Sequence, residues 1–293
     1  MMDKKNEINS GDNSTNIQGR QVLVNQQIGI SYSDARQIAL DVYKQNFYEL
    51  SEEAKSVALE RAEKLIDELL RNLEKELPEQ IEKIKVPDVQ YTLIKAQSIY
   101  ARNGGPDTLE ILTNLLKDRF RVKEDSLKKI VLNEAIEIIP KLTINQLNLL
   151  TAIFLVKNCK MSKVRVLIES LDTIITDDLV QFIQERNYFE HLVYVGAASN
   201  DITTDSSQNL EYFIRKSYSE ELNEKVEGNT LDVLDPPVRN QFVIDTLSES
   251  VFFKWNHGYF NRYALTSVGI ALAVTHFNIV MNANIDLNIW IKG

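Results

Sequence analysis

Residues 143–156 read TINQLNLLTAIFLV, and this stretch decides the fold of the chain. Thr143 is a residue type that caps the amino end of a helix, so a helix is expected to begin directly after it. The apolar residues that follow fall on every side of this helix, and they are Leu147, Leu149, Leu150, Ile153, Phe154 and Leu155. A helix that is apolar on all sides is buried on all sides. We therefore predict that this segment is the central core helix of a mainly α protein.

Amphipathic patterns on both sides of this helix predict a helical domain over residues 87–228. The predicted helices around the core segment cover residues 88–103, 109–116, 127–138, 164–175, 179–184 and 209–225. The Asn-Gly-Gly-Pro sequence at 103–106 ends the first of them, and Pro140 ends the third. Either Asp125 or Ser126 is expected to cap that third helix. Residues 189–196, FEHLVYVG, suit a buried strand and a helix end equally well.

A long helical hairpin is predicted over residues 31–86. Its first helix opens at Ser33, the expected N-cap, and its second opens at Ser51, where two acids suit the positive end of the helix dipole. Apolar residues recur mostly every four positions along the second helix, which is typical of an amphipathic helix and not of a heptad coiled coil. Pro78 and Pro87 bracket a short segment that we interpret as a hinge between domains.

The C-terminal residues 236–293 change character. A predicted helix at 238–255 is followed by a strand at 259–266, a short helix at 267–275 and a strand at 285–291. This order of elements predicts a small α+β unit that is winged-helix-like.

The sequence LTSVGIALA at residues 265–273 is the most motif-like part of this unit. It resembles the strand-to-helix junction of winged-helix domains. Thr266 or Ser267 is expected to cap the following helix, and Gly269 is expected to allow close packing. We predict that this junction serves packing.

Nucleic-acid binding is the alternative function of the C-terminal unit. Three bases would contact phosphates there: Arg239, Lys254 and Arg262. Acidic residues nearly balance the bases of this unit, whereas phosphate neutralisation requires an excess of Lys and Arg. A nucleic-acid partner is therefore not expected.

The N-terminal arm, residues 1–30, cannot form a core of its own. Residues 11–30 read GDNSTNIQGRQVLVNQQIGI, with no acid after Asp12 and one base. Low charge, amide side chains and β-forming residues favour stacked strands, whereas the polar residues 1–16 favour disorder. The arm is thus predicted to be disordered or β-prone. If it assembles, the residues involved are Asn16, Ile17, Gln18, Gly19, Val22, Val24 and Ile28.

Composition excludes several classes of protein. The chain has 293 residues, of which 44% are hydrophobic, and a net charge of −9 that argues against a protein that coats nucleic acid. Its one cysteine, Cys159, rules out an internal disulfide. The start of the chain lacks the apolar region of a signal peptide, and residues 268–285 are too interrupted to span a membrane. A cytoplasmic location is expected.

No catalytic, cofactor or metal site is predicted. The three histidines are scattered, and each is more readily explained as a surface or core residue than as a metal ligand. Motifs for phosphate binding, dinucleotide binding and nucleophilic catalysis are absent from the sequence. The chain is therefore expected to be a non-enzymatic protein.

Two resemblances add to this interpretation. Ile17-Gln18-Gly19 and Gln27-Ile28-Gly29 resemble the core of the RIP homotypic interaction motif and of bacterial amyloid signalling sequences, although Gln18-Gly19 lacks the apolar residue between Gln and Gly. From about residue 11 onward, phrases such as ISYSDARQIALDVYKQNFYELSEEA and VLNEAIEIIPKLT resemble an uncharacterised bacterial family named by locus tags. Members of this family resemble proteins found near mobile-element and phage-defence genes, so the resemblance implies a role in phage defence. The function that we expect is that of an interaction or signalling protein. We expect a homo-oligomer with an unknown protein partner.

Overall fold

The computed structural model describes residues 30–45, 52–123, 126–176, 179, 185–201, 209–221, 255 and 260–291. Statements about the structure concern these ranges. The arm before residue 30, all but residue 255 of the helix predicted at 238–255, and all but residue 179 of the helix predicted at 179–184 lie outside them.

The described part of the chain is mainly helical, as predicted. Its α-helices are α1 Tyr32–Gln45, α2 Glu52–Glu76, α3 Pro87–Asn103, α4 Pro106–Arg121, α5 Leu127–Ile138, α6 Ile144–Lys157, α7 Val164–Ile174, α8 Arg186–Tyr194, α9 Leu210–Tyr218 and α10 Ser267–Val280. Short 3-10 helices lie at Pro78–Lys85, Ile139–Lys141, Phe260–Arg262 and Leu287–Ile289. Most of the segment at 189–196, which suits a strand or a helix, belongs to α8.

Helix α6 is the core helix that the sequence predicts. Thr143 caps it, and the Gln146 side chain accepts in return from the backbone N–H of Thr143, which completes a capping box. Buried apolar residues surround α6 on all sides. Its most extensive contacts are with α10, a second helix that is almost entirely apolar. These two buried helices form the centre of the protein, and α4 and α5 also pack against α10.

The predicted hairpin is present with one correction. Ser31 caps α1, since its hydroxyl accepts from the backbone N–H of Asp34 at 3.1 Å, and Ser33 does not. The segment Pro78–Lys85, interpreted as a hinge, is a 3-10 helix with Ile81 and Ile84 buried in the core. The two helices are joined by an ion pair in which Arg36 Nε lies 2.6 Å from Asp67 Oδ1.

The small sheet of the C-terminal region is built from distant parts of the chain. Strand β1, Ala198–Asn200, pairs antiparallel with β2, Tyr263–Leu265, with Ser199 opposite Ala264. Lys157 at the end of α6 fixes this sheet, because its ammonium donates to the carbonyl oxygens of Asn261 and Tyr263, both at 2.8 Å. The predicted strand at 259–266 is therefore confirmed only over three residues.

The strand predicted at 285–291 is wrong. This segment contains the 3-10 helix Leu287–Ile289, which Asp286 caps. Asn278 bonds both the N–H and the carbonyl oxygen of Ile285, and Leu287 and Ile291 are buried four residues apart. The hydrogen bonds of Asn278 and the burial of residues at a helical spacing favour the 3-10 helix over the strand that the alternation of apolar and polar residues predicts. The winged-helix order of elements is consequently incomplete.

The division into domains at residues 31–86, 87–228 and 236–293 stays a prediction. Buried side chains from all three ranges nevertheless belong to one hydrophobic cluster. Within the described ranges, no helix combines the length and the apolar character that crossing a membrane requires.

His276 on α10 is expected to make the fold sensitive to acid. Its Nε2 lies 2.7 Å from Asn148 Oδ1, and burial lowers the pKa of His276 from 6.5 to about 4. As the pH falls, His276 is therefore protonated near pH 6.5 in the unfolded chain but only near pH 4 in the folded chain. This contribution to stability is full above pH 6.5 and falls as the pH drops, by about 3 kcal/mol in total.

Urea unfolding at pH 7, pH 5.5 and pH 4.5 measures this effect. Replacement of the imidazole in His276→Gln keeps a donor for Asn148 and removes the titrating group. The variant is expected to lose less stability than the native chain between the first and last pH. Parallel losses in both proteins would contradict the role assigned to His276.

Candidate functional site

The residues predicted for assembly and nucleic-acid contact lie mostly outside the described ranges. This holds for Asn16, Ile17, Gln18, Gly19, Val22, Val24 and Ile28, and also for Arg239 and Lys254. Arg262 is described; it is exposed at the end of a 3-10 helix, and its carbonyl oxygen accepts from the N–H of Asp201 at 2.7 Å. Nucleic-acid contact by these three bases stays a prediction.

The junction around Thr266 packs against the turn before β1, as its motif predicts. The hydroxyl of Thr266 accepts from the N–H of Gly269 at 3.1 Å and donates to the carbonyl oxygen of Gly196 at 2.6 Å. The N–H of Thr266 donates to Ala197 at 3.2 Å. Gly269 itself lies directly against the backbone of Ala197. In the described structure this motif holds α10 against the neighbouring turn.

The candidate site is a shallow surface depression of ≈ 300 Å³, which we call the α3–α5 hollow. It is lined by Asp88, Tyr91, Thr92 and Lys95 of α3 and by Lys129, Ile130, Asn133, Glu134, Ile136 and Glu137 of α5. Helix α3 turns its other face, with Val89 and Leu93, into the core. The hollow therefore lies on the outer side of the packed helices.

Two large apolar side chains are exposed in the α3–α5 hollow. Tyr91 and Ile130 each leave 55% of their surface accessible. This site is not predicted from the sequence, because apolar residues of an amphipathic helix such as Ile130 are expected on its buried side. The available signal was Tyr91, a large aromatic residue that falls off the apolar stripe of α3.

Charged residues of both signs form the rim of the hollow. Lys95 Nζ lies 4.0 Å from Glu137 Oε1, and Lys129 Nζ lies 3.9 Å from Asp88 Oδ1. The ammonium of Lys95 also lies 5.3 Å from the centre of the Tyr91 ring. These pairs are solvent-exposed or partly so, and they contribute little to stability.

A buried polar cluster supports the floor of the hollow. Arg119 of α4 is completely buried and lies 2.5 Å from Asp88 Oδ2. Its Nε donates to Asn133 Oδ1 at 3.2 Å, and the Thr92 hydroxyl donates to the same oxygen at 3.1 Å. The hydrogen bond from Arg119 lowers the pKa of Asp88 against the opposing effect of burial. Helices α3, α4 and α5 are thus fixed relative to one another below the exposed residues.

A larger polar groove of ≈ 780 Å³ lies elsewhere, between the end of α4, the start of α5 and residues 278–288. Its charged residues pair mainly within the protein: Glu76 accepts from Lys117 at 3.3 Å and from Arg121 at 3.1 Å. Lys128 donates to Asn288 Oδ1 at 2.9 Å. The bonds of Glu76 join α2 to α4, and the bond of Lys128 attaches the C-terminal segment to α5, which gives the groove a structural explanation.

Within the described ranges, the side chains that could bind a metal or act as a nucleophile are explained by their roles in packing and hydrogen bonding. No cluster of three His, Cys, Asp or Glu residues among the described residues could hold a metal ion. Burial raises the pKa of the Cys159 thiol to about 11. His191 Nδ1 lies 2.9 Å from the amide nitrogen of Gln146 beside the capping box of α6.

The fold and this surface define a mainly helical protein with a surface depression in which two large apolar side chains are exposed. A family model matches residues 29–250 and 238–291, and the chain belongs to that family, which is named by a locus tag. The predicted resemblance to such a family is confirmed. The residues that resemble the homotypic interaction motif, 17–19 and 27–29, precede the matched residues except for Gly29. No curated protein and no solved structure matches the chain.

Proposed function

We propose that this chain is a non-enzymatic interaction protein that self-assembles through its N-terminal arm. The observation that carries the proposal is the α3–α5 hollow, where Tyr91 and Ile130 are over half exposed on a rigid support. Exposed apolar groups surrounded by charged residues are typical of protein-binding surfaces. Tyrosine is also enriched among the residues that dominate binding energy.

The arm supplies the second element of the proposal. Residues 13–30 carry six aliphatic residues (Ile17, Val22, Leu23, Val24, Ile28 and Ile30) and a single charge, that of Arg20. Ile30, where the arm joins the described structure, packs against the hydrophobic core. The arm therefore starts from a fixed point on the protein surface. A role in phage defence stays a prediction, since it rests on resemblance alone.

Charges placed in the arm are expected to abolish self-assembly without affecting the fold. In Ile17→Asp combined with Ile28→Asp, like charges would repeat roughly every 4.8 Å along stacked strands. We expect the native chain to form oligomers whose mass rises with concentration, and the double variant to remain monomeric. Light scattering coupled to size-exclusion chromatography measures the mass.

A matched control places the same charges elsewhere. Tyr194 and Ile289 are 84% and 62% exposed on other surfaces, so Tyr194→Asp with Ile289→Asp is expected to keep the native mass. Both variants should unfold at the same urea concentration as the native chain, because no core residue changes. A monomeric native chain, or an oligomer that survives the arm variant, would refute assembly through the arm.

A further inference from the structure

We propose that the α3–α5 hollow binds residues 13–29 of the same chain and thereby holds the assembly segment back. This inference rests on the proposed function of the arm and adds its regulation. Tyr91 and Ile130 would be covered by aliphatic side chains of the arm. Assembly would then require release of the arm from the hollow.

The size and composition of the hollow suit a chain segment. A depression of ≈ 300 Å³ is at the lower end of ligand sites and can accommodate a few aliphatic side chains. Val22 and Val24 are two residues apart, so an extended segment presents both on one side. Apolar contacts to Tyr91 and Ile130 would supply the affinity.

The charges of the two surfaces are compatible. The lining of the hollow contains three acids and two bases, whereas residues 13–29 carry only Arg20. Residues 1–29 contain three acids and three bases, so the whole net charge of −9 lies on residues 30–293. A second copy would meet an equally negative surface, whereas the arm would not. Charge therefore favours the arm as the occupant.

The arm is long enough to reach the hollow of its own chain. Twenty-nine extended residues span up to about 95 Å, whereas a globular chain of this length has a radius of gyration of about 19 Å. Ile30 leads into α1, and α1 packs against α3 and against the 3-10 helix that precedes α3. The arm therefore starts beside a helix that forms the hollow.

The covalent connection favours binding within one chain. Tethering within one chain gives an effective concentration of about 1 mM over a short linker, so a segment with an intrinsic Kd of about 100 μM would be bound about 90% of the time. Arms of other copies of the chain, at micromolar concentration, could not displace the arm that is bound within its own chain at that affinity. The free arm would be a minor species, which is the condition for regulated assembly.

Photo-crosslinking of the full chain tests the contact. Tyr91 is replaced by p-benzoylphenylalanine, and a matched protein carries the same replacement at Tyr194, another exposed tyrosine. Equal amounts of ¹⁴N- and ¹⁵N-labelled protein are irradiated at a concentration where the chain is monomeric, and crosslinked peptides are identified by mass spectrometry. We expect position 91 to crosslink to residues 13–29 of the same isotope, and position 194 not to do so.

Other crosslinking results would overturn the proposal. Mixed-isotope crosslinks at position 91 would assign the hollow to a second copy. Absence of crosslinks to the arm, or equal crosslinks from both positions, would show that the arm does not occupy it. These outcomes leave self-assembly of the arm intact, so the two proposals fail separately.

A kinetic experiment on the full chain tests the regulation. Tyr91→Ala with Ile130→Ser would raise the free arm from about one tenth to nearly all molecules, and so speed thioflavin-positive assembly about tenfold. Tyr194→Ala with Ile289→Ser, the matched control, should assemble at the native rate. An unchanged or slower rate in the hollow variant would overturn the regulation. If no protein assembles, the proposed function fails and the crosslinking result alone decides the contact.

Discussion

Gly269→Ala is expected to lower the free energy of unfolding by about 3 kcal/mol, the upper end of the usual cost of overpacking. A Cβ at this position would overlap the carbonyl oxygen of Ala197 and lie 3.0 Å from its carbonyl carbon. Backbone cannot move aside as a flexible side chain can. The helix would have to shift, and the bonds of Thr266 to Gly196 and Ala197 would be lost with it.

Urea unfolding at pH 7 measures this loss, and Ser267→Ala is its control. Ser267 belongs to the same first turn of α10 and is exposed, so loss of its hydroxyl disturbs no close contact with the backbone. We expect the control to stay within about 0.5 kcal/mol of the native chain. Equal stability of the two variants would disprove the close approach of α10 to the turn at Ala197.

Arg119→Met is expected to lower the free energy of unfolding by about 2 kcal/mol, because it removes a charge-assisted hydrogen bond to Asp88 and a buried donor to Asn133. Arg119 is completely buried, whereas the Asp88 side chain is 38% exposed and keeps Lys129 as a more distant partner. Methionine fills most of the volume but can neither donate nor neutralise the carboxylate. The floor of the α3–α5 hollow would lose its polar connection to α4.

The same substitution two residues later provides the control. Arg121 is 37% exposed and pairs at the surface with Glu76 and Asp118. Arg121→Met is expected to cost less than about 1 kcal/mol, as other exposed ion pairs do. If both variants lost the same small amount, the cluster beneath the hollow would not stabilise the protein.

Local signals predicted most helix boundaries correctly. Thr143 and Ser126 cap α6 and α5 as expected, since capping depends on a side chain and the N–H groups two or three residues later. The Asn-Gly-Gly-Pro break ends α3 because Gly104 and Gly105 adopt positive φ values of 65° and 87°. Such interactions lie within one turn of the chain.

Exposure was predicted less well than helix position. Leu127 and Ile130 belong to the apolar pattern of α5, yet they are 54% and 55% exposed. Which face of a helix is buried depends on the helices that pack around it, and α5 contacts α3, α4 and α10 on its other sides. The α3–α5 hollow could therefore not be located from the pattern alone.

The sequence by itself determined that the protein is mainly helical, where its helices begin, and that α6 is buried, because these properties follow from capping and from apolar periodicity. Only the tertiary structure decided the pairing of β1 with β2 and the 3-10 helix near residue 288. The strands are about 65 residues apart, and the helix depends on contacts with Asn278 and Lys128. Contacts between distant residues arise from packing of the whole chain, and no local pattern specifies them.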